Sequence, residues 1–557
     1  MASLSRRSLL AGGAAVTAVA LQPGIAVAAP SEQGDPRAGS VPGKGGGAQD
    51  PVRKVTGGVV RGSVDDHGVM IFKGIPYAAS TYGKNRWRAP QPVTQWSGIK
   101  DTTQYGPIAV QNPAAGPFGP WTPEYLDIGL TLANGRMSED CLSLNVWTTA
   151  KPNAGRPVIV YIHGGANNSG SGENEVYTGE KIAQKGVVYV TINYRVGLFG
   201  FLAYKDATGK EVTGNFAFMD MIAALKWVRD NIRAFGGDPA NVTVAGQSAG
   251  SQDIQTLIAS PAAAGLFERA VTMSFNSIDQ PVSTLAQAEA SAAQAFGQYT
   301  LDQLRAMTSQ QVQALTAVYN PTAAVIDGRV VTKSLTDAYV SGTANPVDLM
   351  IGNVDYDAGF FGPLRLPDDN SDPLDRVGSV SPAVYAAAVT QQLGAELLNL
   401  YPVDPTANNV IDTARALQAD GLVAGAVRQA AVRTSTKYSH HTSKHSHRNT
   451  YVYQFSHIVP DTPERMAAYG PFHTGDVGYW LNYFSNTWHR PWTHVDYALG
   501  DAMSSYLVDF ATDGNIKGWP AYDASMTVDK YMHFINAAEV DTLNQAKTAA
   551  WAKYWTP

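Results

Sequence analysis

The sequence predicts an α/β protein with a large, mostly parallel central sheet and helices on both of its faces. Three uninterrupted runs of apolar or β-branched residues, at 158–162, 187–192 and 242–245, are typical of strands that are buried on both sides. Between the second and the third run, apolar residues from Phe218 to Ile232 recur at the spacing of a helix. The order strand, helix, strand indicates parallel neighbours joined by a crossover helix.

The remaining elements are predicted from the same signals. Further strands are expected at 270–275, 349–354 and 451–455. Alanine-rich patterns predict long helical insertions at 284–317, 380–397 and 412–433, and the last helices are expected near 494–512 and 540–553.

An antiparallel β-hairpin is predicted near the N-terminus. Its two strands are the run Val59-Val60 and the run 69–72, and the polar turn between them is 65–68.

Three regions are predicted along the chain. Residues 1–29 have the features of a twin-arginine signal peptide: the pair Arg6-Arg7, an apolar stretch too short to span a membrane, and small residues at a cleavage site. Residues 30–50, rich in proline and glycine, are expected to be a flexible linker, and 51–557 a single catalytic domain. We therefore expect an exported protein, secreted to the cell exterior or the periplasm, without stable membrane insertion.

Composition narrows the class of protein. With 44% hydrophobic and 16% charged residues in 557, the chain has enough apolar material for a large core. A net charge of -6 and the lack of a basic tract argue against nucleic acid as a partner. The single cysteine, Cys141, excludes an intramolecular disulfide.

The motif G-x-S-x-G follows the third apolar run directly, as residues 246–250. A strand that turns sharply into a helix needs glycines around the serine, and such a turn exposes the serine above the sheet. A helical pattern at 254–258 follows, so the motif lies between a strand and a helix, as a nucleophilic serine does in this kind of turn. We predict Ser248 as the nucleophile.

A serine nucleophile needs donors for the oxyanion that forms during attack. One predicted donor is the backbone N–H of Ala249, directly after the serine. Others are expected from the loop His163-Gly164-Gly165-Ala166, which follows the first apolar run and has small residues that let the backbone approach a substrate oxygen. His163 itself is expected to orient the backbone.

Five motifs in order make the chain resemble the type-B carboxylesterases, the α/β-hydrolase family that includes the cholinesterases. They are Phe72-Lys73-Gly74-Ile75-Pro76-Tyr77-Ala78, Ser138-Glu139-Asp140-Cys141-Leu142-Ser143-Leu144-Asn145-Val146-Trp147, Asn193-Tyr194-Arg195-Val196-Gly197, Phe235-Gly236-Gly237-Asp238-Pro239-Ala240-Asn241-Val242-Thr243 and Gly518-Trp519-Pro520-Ala521-Tyr522. The resemblance implies an α/β-hydrolase fold, and with the signal peptide it indicates a bacterial, exported member.

The resemblance also implies the catalytic residues. The amides of Gly165, Ala166 and Ala249 would form the oxyanion hole, and His473, in a glycine and aromatic loop, would be the general base. The family's acid follows a strand and precedes a glycine and an aromatic residue; counting without gaps places Asp357 there. Asp355 is the alternative, since it could instead cap the turn.

The resemblance implies a serine carboxylic ester hydrolase that acts through an acyl-enzyme on small to medium neutral esters. An amidase, lactonase or polyester hydrolase with the same triad remains an alternative, as does a non-catalytic binding protein of this fold. Gln247 replaces the glutamate that cholinesterases place before the serine, and Asn167-Asn168 stand where aromatic residues often follow the oxyanion loop, so esters of cationic alcohols are not the expected substrates. The sequence leaves the oligomeric state open.

We expect no metal and no organic cofactor, because the mechanism needs none. Four histidines lie close together in the sequence and resemble a metal site: His440, His441, His445 and His447. They alternate with polar residues, so we interpret the stretch as an exposed loop.

Overall fold

The structure is a computed structural model. It describes residues 50–111, 136–274, 282–357, 364, 366, 380–404, 410–435, 448–484, 490–523 and 530–555. The predicted signal peptide, nearly all of the predicted linker and the histidine stretch at 440–447 lie outside these residues. Residues Asp50–Pro557 form one compact unit.

The described strands, numbered in chain order, are β1 (Val52–Val55), β2 (Gly58–Arg61), β3 (Ser63–Val64), β4 (Met70–Pro76), β5 (Ile99–Asp101), β6 (Ser143–Thr148), β7 (Arg156–Ile162), β8 (Val188–Ile192), β9 (Ala203–Lys205), β10 (Glu211–Thr213), β11 (Gly237–Gln247), β12 (Arg269–Met273), β13 (Ser283–Thr284), β14 (Val325–Ile326), β15 (Asp348–Val354), β16 (Thr450–Phe455), β17 (Lys530–Phe534) and β18 (Ala538–Thr542).

The described α-helices, numbered in the same way, are α1 (Glu180–Gln184), α2 (Gly197–Phe201), α3 (Phe216–Asn231), α4 (Ala249–Ala259), α5 (Leu285–Phe296), α6 (Leu301–Ala306), α7 (Ser309–Leu315), α8 (Leu335–Val340), α9 (Pro382–Gln392), α10 (Ala395–Leu400), α11 (Val410–Ser435), α12 (Pro463–Tyr469), α13 (Val477–Trp480), α14 (His494–Asp513) and α15 (Gln545–Trp555). Short 3₁₀ helices lie at Gly83–Asn85, Glu175–Tyr177, Ile232–Phe235 and Pro261–Ala263. No helix among these residues is both long and apolar enough to cross a membrane.

An eleven-stranded mixed sheet forms the centre, in the order β18-β17-β16-β15-β12-β11-β7-β8-β6-β4-β3. Neighbours from β17 through β8 are parallel, whereas β18, β6, β4 and β3 pair antiparallel at the two sides. The predicted α/β class with a mostly parallel sheet is therefore confirmed. Each of the six strands predicted from apolar runs is present.

Both faces of the sheet are covered by helices. On β7, Val158, Val160 and Ile162 pack into one core together with apolar residues of α3, whereas Ile159 and Tyr161 pack into a second core with residues of α14. This division follows from the strand itself, because successive side chains point to opposite faces. A strand buried on both faces has no polar alternation, which explains its continuous apolar sequence.

The three predicted helical insertions are present, and two of them, 284–317 and 380–397, are divided into shorter helices. Segment 284–317 contains three helices, and each begins at a threonine whose hydroxyl accepts the N–H of the glutamine three residues later while that glutamine bonds back. These capping boxes start at Thr284, Thr300 and Thr308. Each T-x-x-Q sequence satisfies helix N–H groups that would otherwise lack partners, so it starts a new helix.

Two local predictions need correction. The predicted hairpin is present, since β3 and β4 pair antiparallel around the turn 65–68, but its first strand is β3 and not Val59-Val60. The run Val59-Val60 pairs with β1 through a two-residue turn at Thr56-Gly57. Gly57, with φ of 101°, supplies the left-handed backbone that a tight hairpin turn requires. The helix expected near 540–553 begins only at Gln545, because β18 precedes it.

Candidate active site

Ser248 occupies the turn between β11 and α4, at the centre of the predicted elbow. Its φ is 59° and its ψ is -124°, a conformation that is strained for a residue with a side chain. The Ser248 N–H donates to the carbonyl of Met273 on the adjacent strand at 2.9 Å. The neighbouring strand thus holds the strained turn in place, and the serine remains 5% exposed.

Glycines on both sides of Ser248 are required by close packing. A Cβ built on Gly246 would lie 2.7 Å from the carbonyl oxygen of Ile162, and one on Gly250 would meet the same oxygen at still shorter range. Real Cβ atoms do not approach a backbone oxygen so closely. The G-x-S-x-G motif therefore lets β11 and α4 pack against the end of β7.

The loop after β7 lies against the elbow. A Cβ on Gly164 would lie 2.7 Å from the carbonyl oxygen of Gln247 and 3.0 Å from Ser248 Cβ, so only glycine permits this approach. Gly165 and Ala166 follow with φ of 113° and 54°. Ala249 is the first residue of α4, where the N–H has no partner within the helix. The predicted oxyanion donors thus lie on two segments that meet beside Ser248.

Asn167 anchors this loop from behind, a role that the sequence did not reveal. The residue is 1% exposed. Its side chain donates to Asp253 Oδ1 on α4 at 2.9 Å, and its own oxygen accepts from the Tyr194 hydroxyl at 3.2 Å. Burial raises the pKa of Asp253 to about 7. Because the Asn167 side chain is occupied in these bonds, it is an internal anchor and not a replacement for an aromatic wall.

His163 is a buried structural residue in this site, 1% exposed. Its ring stacks on Tyr194 with 4.3 Å between centroids, and Nδ1 lies 2.8 Å from the carbonyl oxygen of Gly164. Burial lowers its pKa to about 4, so the ring is neutral at pH 7. Its contacts are those expected of a residue that orients the loop backbone.

His473 and Asp357 are brought together by the fold although 116 residues separate them. The distance from His473 Nδ1 to Asp357 Oδ1 is 2.5 Å, and the two side chains are 3% and 0% exposed. The second carboxylate oxygen of Asp357 accepts from the N–H of Val354 at 3.2 Å. Asp357 therefore has one oxygen on the imidazole and the other on the end of β15.

Asp355, the alternative acid, points elsewhere. Its Oδ1 accepts from Gln454 Nε2 at 2.5 Å and from the Ser456 hydroxyl at 2.7 Å. Both partners belong to the end of β16 and the residue after it, so Asp355 does not cap the turn as the sequence suggested. Of the two aspartates, the geometry places Asp357 at His473.

Gln247 lies against the histidine ring. Its Nε2 is 3.2 Å from His473 Nε2 and 3.4 Å from Nδ1, and the side chain is completely buried. Among the described residues, no hydrogen bond joins Ser248 Oγ to the imidazole. In unliganded enzymes this contact is often long and closes when substrate binds.

Asp476 is a third buried carboxyl group near the pair. It is 0% exposed, and its Oδ2 accepts from the Tyr453 hydroxyl at 3.0 Å and from Trp480 Nε1 at 3.2 Å. Burial, together with the negative charge of Asp357, raises its pKa to about 7. Nothing in its sequence context distinguished it from an ordinary loop residue.

No group of three or more His, Cys, Asp or Glu side chains within the described part of the chain is arranged to hold a metal ion. Cys141 is a free, buried thiol, 1% exposed.

A family model supports the resemblance that the motifs indicate. The model of the carboxylesterase family matches residues 49–551. A fumonisin B1 esterase from Sphingopyxis macrogoltabida is 35% identical over 363 residues, 62% of this chain and 61% of that protein. A para-nitrobenzyl esterase from Bacillus subtilis is 40% identical over 258 residues, 46% of this chain and 50% of that protein. The alignments thus span about half to three fifths of these two relatives.

Solved structures agree over a larger share of the chain. A carboxylesterase from Geobacillus stearothermophilus has a TM-score of 0.70 and 26% identity, covering 90% of this chain and 99% of its own. A para-nitrobenzyl esterase structure has a TM-score of 0.69 and 27% identity, with the same coverage. Together with the match over 49–551, these similarities show that the chain belongs to the carboxylesterase family and has its α/β-hydrolase fold.

Proposed function

We propose that the protein hydrolyses small to medium neutral carboxylic esters through an acyl-enzyme formed on Ser248. The observation that carries the proposal is the buried His473–Asp357 pair, with 2.5 Å between Nδ1 and Oδ1, in the same site as a serine on a strained elbow. These groups are the nucleophile, base and acid that such a reaction needs.

In the first half of the reaction, Ser248 Oγ attacks the acyl carbon while its proton moves to His473 Nε2. The carbonyl oxygen becomes an oxyanion, which accepts hydrogen bonds from the amides of Gly165, Ala166 and Ala249. The imidazolium then gives its proton to the oxygen of the leaving alcohol, and the acyl–alcohol bond breaks.

In the second half, water attacks the acyl-enzyme, His473 takes the proton of the water, and Ser248 leaves with that proton. Asp357 accepts a hydrogen bond from Nδ1 in both halves. It keeps the neutral imidazole in the tautomer with a free Nε2 and stabilises the imidazolium, without taking the proton itself.

Labelling tests the nucleophile directly. A fluorophosphonate reacts with an activated serine, loses fluoride and stops at the phosphonylated enzyme, so we expect one adduct, on the peptide that contains Ser248. Intact mass and peptide mapping by mass spectrometry would detect it, and heat-denatured protein is the control for activation. A stable adduct on a different peptide of the native protein would contradict the assignment.

We expect neutral aryl acetates and butyrates to be better substrates than choline esters. Gln247 carries no charge where cholinesterases have a glutamate, and its amide is held at His473. A cation–π or charge-assisted contact is worth about 1 to 2 kcal/mol, which corresponds to about 5- to 30-fold in kcat/KM, and a choline ester does not gain this factor at a site that lacks the contact.

The matched comparison for this prediction is acetylcholine against 3,3-dimethylbutyl acetate, which has the same shape and no charge. Equal or lower kcat/KM for acetylcholine is expected. A clear preference for the cation would mean that another part of the site binds quaternary ammonium groups.

A further inference from the structure

A chain of hydrogen-bonded side chains runs from Asp355 toward the surface, outside the site described above. Asp355 Oδ1 and Ser456 Oγ are 2.7 Å apart, and Ser456 Oγ lies 2.6 Å from His533 Nε2. On the other side of the ring, His533 Nδ1 is 3.2 Å from Asp541 Oδ2. The exposed fraction rises along it, from 17% for the side chain of His533 to 49% for that of Asp541.

The inner end of this chain holds the turn that carries Asp357. Asp355 binds β16 by its side chain and also by its backbone, whose N–H donates to the carbonyl of Phe455 at 3.1 Å. Tyr356, the next residue, donates its N–H to the carbonyl of Pro471 at 3.0 Å, two residues before His473. The turn between β15 and Asp357 is therefore fixed on one side to β16 and on the other to the segment of His473.

We propose that Asp355, Ser456 and His533 are positioning residues for the reaction, because they fix the turn from which Asp357 reaches His473. This inference rests on the proposed function. A shift of about 1 Å in a group that aligns the reacting atoms can cost on the order of a hundredfold in rate, so support of this turn has a measurable effect.

Both contacts of Ser456 can be satisfied whether or not Asp355 is protonated. If Asp355 is ionised, the Ser456 hydroxyl donates to it, and Ser456 Oγ accepts the Nε2–H of His533. If Asp355 is protonated, it donates to Ser456 Oγ, whose hydroxyl donates to Nε2 of the ring.

The surrounding groups act on the protonation of Asp355. Burial raises the pKa of Asp355 to about 6, although hydrogen bonds from Ser456 and Gln454 and the nearby His533 act in the opposite direction. Titratable groups near the chain include Asp420 on α11, which is bound by Lys547 of α15, Tyr531, which donates to Asp541, and Glu539, which lies opposite His533 in the pair of β17 and β18. Asp355 is thus protonated below about pH 6 and ionised above it, and its contact with Ser456 is possible in both states.

Ser456, His533 and Asp541 have the order of a catalytic triad, but Ser456 is poorly placed as a nucleophile. The carboxylate of Asp355 competes with His533 for its proton at nearly equal distance. An anionic oxygen 2.7 Å from Oγ would also repel the oxyanion that attack creates.

Kinetics of Ser456→Ala test the inference. We expect kcat for an aryl acetate to fall about tenfold while KM stays within about twofold, since substrate contacts are unchanged. The ratio of wild-type to variant kcat should be similar between pH 6 and pH 8, because the contacts of Ser456 are possible in both protonation states of Asp355. Ser456→Thr keeps the hydroxyl and should restore most of the rate, and Ser505→Ala on α14 is a control for serine removal elsewhere. If Ser456→Ala does not fold, His533→Gln tests the same chain from its outer end.

The possible outcomes distinguish failure of the positioning role from failure of the proposed esterase function. Wild-type kcat in Ser456→Ala, or a loss of kcat that threonine does not restore, overturns the positioning role. Turnover that survives Ser248→Ala would overturn the proposed function instead. Fluorophosphonate labelling of Ser456 in the Ser248→Ala variant would make Ser456 a second nucleophile and would also overturn the positioning role.

Discussion

Ser248→Ala is expected to lower esterase turnover about 10⁶-fold, to near the background rate, while the protein stays folded. The remaining oxyanion donors can bind a polarised carbonyl, but no covalent step is possible without the hydroxyl, so only a small residual acceleration remains. Among the described residues, no group depends on the Ser248 hydroxyl for a hydrogen bond, and alanine tolerates the turn no worse than serine. Initial rates with an aryl acetate, corrected for hydrolysis in buffer, measure the effect.

The control for this variant is Ser291→Ala, which removes an exposed serine hydroxyl on α5 that donates to the carbonyl of Gln287. It should keep wild-type rates, and both variants should unfold at temperatures close to the wild type. Turnover in Ser248→Ala with unchanged kinetics would assign the nucleophile to another residue.

The parallel centre of the sheet could be predicted because its signals are local. β7, β8 and β11 are buried on both faces and therefore have continuous apolar sequences. The elbow is equally local, since Gly246 and Gly250 are required by contacts with one neighbouring strand. In both cases, a short run of sequence was enough to predict the local structure.

The margins of the sheet could not be predicted in this way. β18 is an edge strand, and four of its five residues are exposed. Such a strand is stabilised by backbone pairing to β17 and has no apolar pattern, so the neighbouring helical signal was extended over it. The first strand of the N-terminal hairpin was misplaced for a related reason, because β3 has only two residues and no apolar pattern of its own.

The acid of the site shows a further limit of sequence reasoning. Asp355 and Asp357 lie two residues apart, and only counting against a family pattern separated them. What distinguishes them physically is their partners, which lie about a hundred residues away: Ser456 for Asp355 and His473 for Asp357. Only the fold brings these residues together.

Asp357→Asn is expected to lower kcat by about 10⁴-fold with little change in substrate binding. The structure determines which way the new amide must face. Asp357 Oδ2 accepts the N–H of Val354, so the asparagine oxygen must take that position, and its NH₂ group then faces His473 Nδ1. Nδ1 becomes an acceptor, the ring proton moves to Nε2, and the imidazole can no longer take the proton of Ser248.

Asp355→Asn is the matched comparison, since it makes the same chemical change two residues away. The asparagine oxygen can still accept from Gln454 and Ser456, so we expect a far smaller loss in kcat than in Asp357→Asn. Parallel measurements of kcat and KM on the two variants, with thermal unfolding to check the fold, give the order of effects. The reverse order would make Asp355 the acid of the triad, because a residue that acts only by fixing the turn cannot cost more than the group that holds the imidazole tautomer.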